Sequence, residues 1–193
     1  GSACFEGCSS LTNINFPSSL TAINSFAFNN CTNLAIKDLV LPNLKTISTF
    51  AFNGVKITKI SNLGKLTSIR DISWNENIFG DKTTLTLVNL PSTLTSVGNW
   101  VFNDYTNAEI NCNNASLTSI RNHAFTAVKK ISNLDTSKTT EILYYAFFKV
   151  GSFDDNFSLN APNLTSIDIG TFSHSGIKRV ENLGTITELP RAQ

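Results

Sequence analysis

One frame recurs along this 193-residue chain and limits what it can fold into: Leu-x-x-Ile-x-x-x-Ala-Phe. It appears at Leu20/Ile23/Phe28, Leu44/Ile47/Phe52, Leu94/Val97/Phe102, Leu117/Ile120/Phe125 and Leu164/Ile167/Phe172, with a weaker copy at Ile142/Phe147. In every copy a ring follows the Ile or Val anchor by five residues, and the same rule applied to Leu66/Ile69 puts Trp74 in the ring position. The series Phe5, Phe28, Phe52, Trp74, Phe102, Phe125, Phe147, Phe172 then has spacings of 23, 24, 22, 28, 23, 22 and 25. Self-similarity at such a period marks a solenoid, whose coils are too small to bury an apolar face alone and bury it against one another. The Ala beside the ring (Ala27, Ala51, Ala124, Ala146) leaves room for the next coil to approach closely.

Composition fits this reading. The 24 Asn, 22 Thr and 21 Ser exceed a third of the chain, a bias common in disordered tracts, but 14 Phe argue for a regularly buried core. Asn and Ser suit turns, because their side chains bond nearby backbone and Asn tolerates left-handed conformations. Fifteen Lys and Arg against fourteen Asp and Glu, without a basic cluster, argue against nucleic acid, whose affinity comes largely from cations displacing counterions. No apolar run approaches the roughly 18 residues of a membrane span. The chain lacks Met and opens Gly1-Ser2, which reads as a cloning remnant, so the lack of a targeting segment carries no information about location.

A second submotif precedes the frame, as Leu11-x-x-Ile14-x-Phe16-Pro17, Leu39-x-Leu41-Pro42 and Leu87-x-x-Leu90-Pro91, or as Ile57-x-x-Ile60-Ser-Asn62-Leu63, Ile131-Ser-Asn133-Leu134 and Val180-Glu-Asn182-Leu183. The unit from Leu11 to Leu34, with Cys31 three residues after Phe28, resembles the BspA-like leucine-rich repeats, also called the Treponema pallidum type. The resemblance covers residues 3–189 and implies a single leucine-rich repeat domain of about eight coils of 22–28 residues. The expected fold is a right-handed repeat solenoid with a parallel β-sheet on its concave face. Short extended or single-turn helical segments and loops would form the other wall, with little long helix.

In the submotif strand, side chains alternate inward and outward. Ile14 and Phe16 therefore point in, and Asn13 and Asn15 face outward. Transferring the register gives outward pairs Asp38/Val40, Lys59/Ser61, Leu87/Asn89, Glu109/Asn111, Lys130/Ser132, Ser158/Asn160 and Arg179/Glu181. This ladder mixes both charge signs with neutral polar residues, which suits a broad protein or glycan partner, or a solvated sheet with none. Two long spacings place insertions at 75–82 and 148–157, and loops of repeat proteins often carry binding. Phe79, Phe153, Asp154 and Asp155 are the loop contacts expected there, although such rings commonly fold back on their own coil.

No catalytic constellation is visible. His123 and His174 lie in turns two coils apart, about 10 Å along the stack, and read as exposed turn histidines. Cys4, Cys8, Cys31 and Cys112 lack zinc-ligand spacing, and Asp154-Asp155-Asn156 lacks the spaced oxygens and glycine of a calcium loop. Neither metal nor cofactor is expected. Cys8 and Cys31 share a repeat position and would stack within disulfide reach; the family resemblance favours a small, buried, reduced thiol there. Sequons at Asn30, Asn114, Asn156 and Asn163 matter only in a eukaryotic secretory pathway.

The expected function is a non-enzymatic interaction module. The resemblance implies an extracellular or cell-surface protein, an adhesin whose partner is a host matrix protein such as fibronectin or fibrinogen, or another microbial cell. The alternatives are a structural spacer displaying other domains, or a glycan-binding surface. Neither end carries an obvious polar cap, so the native protein is expected to continue past at least one end, or these edges to pair with another molecule.

Overall fold

The computed structural model describes residues 1–190. Each Leu-x-x-Ile step is too short for more than a two- to four-residue strand, so the coil turns sharply and repeats the step one layer on. Among the described residues there is no α-helix, and seventeen short strands, β1 to β17 in chain order, form two walls. The first wall joins β3 (Leu39–Val40), β6 (Lys59–Asn62), β8 (Leu87–Asn89), β10 (Glu109–Asn111), β12 (Lys130–Ser132) and β14 (Ser152–Phe153) in one parallel sheet. Pairs β2 (Ala35–Ile36) with β5 (Lys56–Ile57), and β15 (Leu159–Asn160) with β17 (Val180–Asn182), extend the same architecture.

The second wall is more regular than loops and helical turns. It holds β7 (Ser68–Ile69), β9 (Ser96–Val97), β11 (Ser119–Ile120), β13 (Glu141–Ile142) and β16 (Ser166–Ile167) in a five-stranded parallel sheet. Strands β1 (Ala22–Ile23) and β4 (Thr46–Ile47) pair separately, so the wall is broken between β4 and β7. One strand per turn gives about seven turns. The anchors Ile23, Ile47, Ile69, Val97, Ile120 and Ile142 all point into one continuous apolar core.

A third ladder, without strand geometry, runs through the ring turns. The residue two before the ring has positive φ (Phe26 62°, Phe50 56°, Trp100 64°, His123 54°, Tyr145 53°), as does the residue two after it (Asn30, Gly54, Asp104, Ala127, Lys149). Bulky side chains rarely adopt this region. Here the strain is offset by hydrogen bonds between coils: Phe26, Phe28 and Asn30 N–H donate to the carbonyls of Thr49, Ala51 and Asn53 at 3.3, 2.8 and 2.9 Å. The pattern repeats at Trp100, Phe102 and Asp104 and at His123, Phe125 and Ala127. The rings between these turns stack nearly parallel in two runs, buried except for Phe5 and the half-buried Phe172 at the ends. Phe5–Phe28–Phe52 has centroid separations of 5.2 and 5.3 Å. Phe79–Phe102–Phe125–Phe147–Phe172 has separations of 5.4, 5.7, 5.5 and 5.0 Å.

The ring of the fourth coil is therefore Phe79 and not Trp74. Phe79 is fully buried, whereas Trp74 is 70% exposed. The extra residues lie before the ring and not after it, so the five-residue rule, applied from Ile69, stops inside the inserted loop. That loop is pinned from below: Tyr105 Oη donates to Asn77 Oδ1 at 2.6 Å in the interior, and Asn77 Nδ2 bonds the Gly80 carbonyl. Phe153 is also buried, 6% exposed, packed edge-on to Phe147 and stacked with Phe157 at 4.9 Å. Neither Phe79 nor Phe153 is available as a loop contact, because both rings complete the core of their own coil.

Three register assignments also change. Val40 faces Asn62 and not Ser61, across a bulge between β3 and β6. Ser152–Phe153, and not Ser158–Asn160, continues the sheet beside Lys130–Ile131. Asn160 faces Asn182, because a bulge between the paired strands displaces Glu181. Cys31 is buried with its Sγ 3.0 Å from the Phe5 carbonyl, as a core thiol. Cys8 is exposed, and all four cysteines are free.

Removing a stacked ring deletes its burial and leaves a cavity. Phe102→Ala and Phe79→Ala should each cost about 3–5 kcal/mol, while Trp74→Ala should stay within about 0.5 kcal/mol. Urea unfolding of the three variants checks this; equal losses for Trp74 and Phe79 would return Trp74 to the ring position.

Candidate recognition surfaces

On the first wall the structure brings most of the expected ladder together. Lys59, Leu87, Glu109, Lys130 and Ser152 stand in one register column. Their charges are spent on one another. Lys59 Nζ lies 3.7 Å from Asp38, and Lys130 Nζ lies 3.6 Å from Glu109 and 3.2 Å from Asp154. Ser61 Oγ donates to Asp38 at 2.6 Å and Ser132 Oγ to Glu109 at 2.7 Å, which leaves Ser132 buried. The Asp154 carboxylate, hydrogen-bonded to Lys130, raises the lysine's pKa.

The amides beside this column form their own chain. Asn133 Nδ2 donates to Asn111 Oδ1 at 2.9 Å, and Asn111 Nδ2 to Asn89 Oδ1 at 3.1 Å. Toward the other end, Lys178 sits 3.0 Å from Asp155 and holds its carboxyl below the usual range, and Arg179 Nη2 reaches the Asp155 carbonyl at 3.4 Å. Asn13 and Asn15 are exposed ahead of the first strand, and Asn160 and Glu181 are exposed near the last. Exposed ion pairs of this kind contribute roughly 0–1 kcal/mol each. They align neighbouring coils and leave few free charges for a partner.

The second wall is different. The position after each anchor holds Arg70, Gly98, Arg121, Leu143 and Asp168 in successive turns, with Ser68, Ser96 and Ser119 in register beside them. Gly98 has no side chain to fill its place, and a Cβ there would meet the backbone of Arg70 and Asp71 at 2.4–2.5 Å. The result is an open groove of about 530 Å³ lined by Ser68, Arg70, Asp71, Ser96, Gly98, Ser119, Arg121 and Glu141. Arg121 is paired on both sides, its Nε 3.7 Å from Asp71 and its Nη1 3.6 Å from Glu141, separations equal to those of Lys59–Asp38 and Lys130–Glu109 on the first wall. The Arg121 Nε is shielded from solvent and has no hydrogen-bond acceptor.

Beyond this groove, along the same coils, lies a pile of outer rings. Trp100 and His123 stack at 3.8 Å and His123 and Tyr145 at 5.4 Å. Tyr144, 39% exposed, meets Tyr145 edge-on at 4.2 Å, and Tyr145 covers Gly170, where a Cβ would strike its ring. His123 is thus not an exposed turn histidine. Thr126 Oγ1 donates to the Tyr145 carbonyl at 2.9 Å and so accepts from His123 Nδ1 at 3.2 Å, which places the imidazole proton on Nδ1. Desolvation in the stack lowers the pKa of His123. His174 is exposed.

Sequence reasoning missed this second surface, although both columns are visible in the repeat alignment. Phe26, Phe50, Trp100, His123 and Tyr145 all stand two residues before a ring, and Arg70, Gly98 and Arg121 all stand one after an anchor. Among the described residues, no cluster of three or more His, Cys, Asp or Glu side chains has metal-binding geometry.

A stacked aromatic turn, two parallel walls and a period near 23 residues are the marks of one repeat type, and the BspA-type leucine-rich repeat model matches residues 1–78 and 72–192, in six copies. The chain belongs to that family. Leucine-rich repeats commonly mediate protein interactions and are generally not enzymes. The crystal structure of a leucine-rich repeat protein from Bacteroides ovatus ATCC 8483 superimposes with a TM-score of 0.50 at 22% identity, over 93% of this chain. The chain spans 51% of the length of that protein, and the likeness concerns the fold. No curated protein shows significant sequence similarity to it. No helix among the described residues is long and apolar enough to cross a membrane.

Because the fold keeps His123 neutral, the unfolded chain takes up a proton first as pH falls below about 6.5. His123 therefore favours folding above that value, and the benefit is lost as pH drops through it toward the lower folded pKa. The urea midpoint should fall more between pH 7.5 and 5.5 for the wild type than for His123→Phe, which keeps a ring in the stack. Equal falls would show that His123 titrates as it does in the unfolded chain.

Proposed function

We propose that the chain is a non-enzymatic recognition module of a secreted or surface-displayed protein, of the adhesin type, and that it binds host matrix proteins or other microbial cells. The observation that carries this reading is the second wall, where Arg70 and Arg121 line an open groove and Trp100, Tyr144 and Tyr145 belong to a pile of rings on neighbouring turns. Trp, Tyr and Arg are the residue types that dominate binding energy at protein interfaces. Stacking holds the rings before a partner arrives, so little of their ordering entropy opposes association. The exposed members of the first-wall ladder, Lys59, Glu109, Lys130 and Arg179, form the second contact surface proposed, with Asn13, Asn15 and Asp155 at its ends.

The self-pairing of that ladder favours a second reading, in which the solenoid is a spacer that displays other domains and binds nothing. Surface plasmon resonance on immobilised fibronectin and fibrinogen separates the two. The module reading expects saturable binding to at least one of them. It also expects at least a tenfold loss in Tyr144→Ala, or in the quadruple alanine variant of Lys59, Glu109, Lys130 and Arg179, with the thermal melt retained. Absence of binding to both proteins supports the spacer, and binding that neither variant changes removes both proposed contact surfaces.

A further inference from the structure

The break in the second wall joins the groove beside Gly98. Between β4 and β7, which do not pair, lies an opening of about 340 Å³ lined by Lys45, Thr46, Ile47, Ser48, Thr67, Ser68 and Arg70. Ser68 and Arg70 also line the 530 Å³ groove, and Arg70 with Asp71 walls a third recess of about 230 Å³ beneath Ser48 and Thr49. One trough therefore runs across the coils from Lys45 to Glu141, with Arg70 at its junction. Its extent, four spacings of roughly 4.8 Å across five strands, is about 19 Å and matches about six residues of extended chain.

Two of the cations in this trough are unspent. Among the described residues, neither Lys45 nor Arg70 forms an ion pair or a side-chain hydrogen bond, in contrast to the first wall. Arg121 is paired with Asp71 and Glu141, although its Nε has no hydrogen-bond acceptor. The opening around Lys45 and Arg70 contains four hydroxyls and no carboxylate, so it is positive; Asp71 stands beside Arg70 in the adjoining recess and Glu141 lies further along the trough. A guanidinium without a partner recognises a planar carboxylate in bidentate fashion.

We propose that this trough receives an extended acidic segment of a protein partner, with Arg70 as the anchor for an Asp or Glu side chain and Lys45 and Arg121 as flanking contacts. The proposal rests on the recognition reading above and names the chemistry of its partner. One feature favours a peptide over an acidic glycan. The rings beyond the trough have spent faces on one another, with His123 stacked between Trp100 and Tyr145, so they present edges to a partner where a sugar needs an open ring face.

Fluorescence anisotropy with a labelled peptide of alternating Asp and Glu, eight residues long, tests this at low salt and again at 0.3 M NaCl. The expected result is saturable binding, weakened at least tenfold by Arg70→Gln, by the higher salt, or by exchanging the acids for Asn and Gln. Lys37→Gln removes an exposed cation elsewhere on the solenoid and should change the affinity less than twofold; thermal melts establish that each variant folds. Absence of binding, equal binding of the amide peptide, or an equal loss in Lys37→Gln overturns the proposal. So does polygalacturonate binding more tightly with the same dependence on Arg70, which reassigns the trough to an acidic glycan. Resonance measurements on fibronectin and fibrinogen with Arg70→Gln keep the two conclusions apart: retained binding there alongside a negative peptide result removes the acidic segment and leaves the recognition module.

Discussion

Ring stacking between coils is the interaction on which the rest of this structure depends. A single coil of about 23 residues cannot enclose a phenylalanine, so each of Phe28, Phe102, Phe125 and Phe147 is buried only because the next coil places its own ring some 5–6 Å away. That spacing is close to the separation of parallel strands, roughly 4.8 Å, and both walls inherit it. The left-handed residues on either side of the ring follow from the same demand. They turn the N–H groups of three alternate residues toward the next coil, and their conformational cost is offset by the hydrogen bonds gained.

Where the period lengthens, this dependence shows. Between Phe52 and Phe79 the ring ladder is interrupted, and in the same turns the second wall loses its pairing between β4 and β7. The inserted residues are held by Tyr105 and Asn77, whose buried hydrogen bond takes over the local order that stacking supplies elsewhere. Burial holds the Tyr105 hydroxyl neutral. A flaw in the repeat is thus closed beneath the surface and left open above it, and the opening is where unpaired cations gather.

The two walls illustrate how equal periodicity produces unequal surfaces. On the first, acids and bases in adjacent turns fall about one strand apart and neutralise one another, as Lys130 does between Glu109 and Asp154. On the second, Gly98 stands between Arg70 and Arg121 and lets its coil lie close against the backbone of Arg70 and Asp71, where a Cβ would clash. The alternation of inward and outward residues was legible from the sequence at Ile14, Ile60, Val88, Ile110 and Ile131, because apolar residues at fixed offsets have only the core to go to. The pairing of outward residues was not, because it depends on which side of an anchor an insertion falls. Counting forward from Ile69 reached Trp74, and only packing shows that the chain needed five more residues to bring Phe79 under Phe102.

By itself the sequence determined the repeat class, the number of turns to within one, and the recurring anchors and rings of the core apart from Phe79, since burial against a neighbouring coil requires apolar side chains at recurring positions. Tertiary structure decided the surfaces. Which charges cancel, which ring faces are spent, where a wall is broken and whether His123 is solvated or stacked all depend on contacts between residues 20 to 30 positions apart. Those contacts are set by register, and register is a property of the stacked coils and not of any one of them.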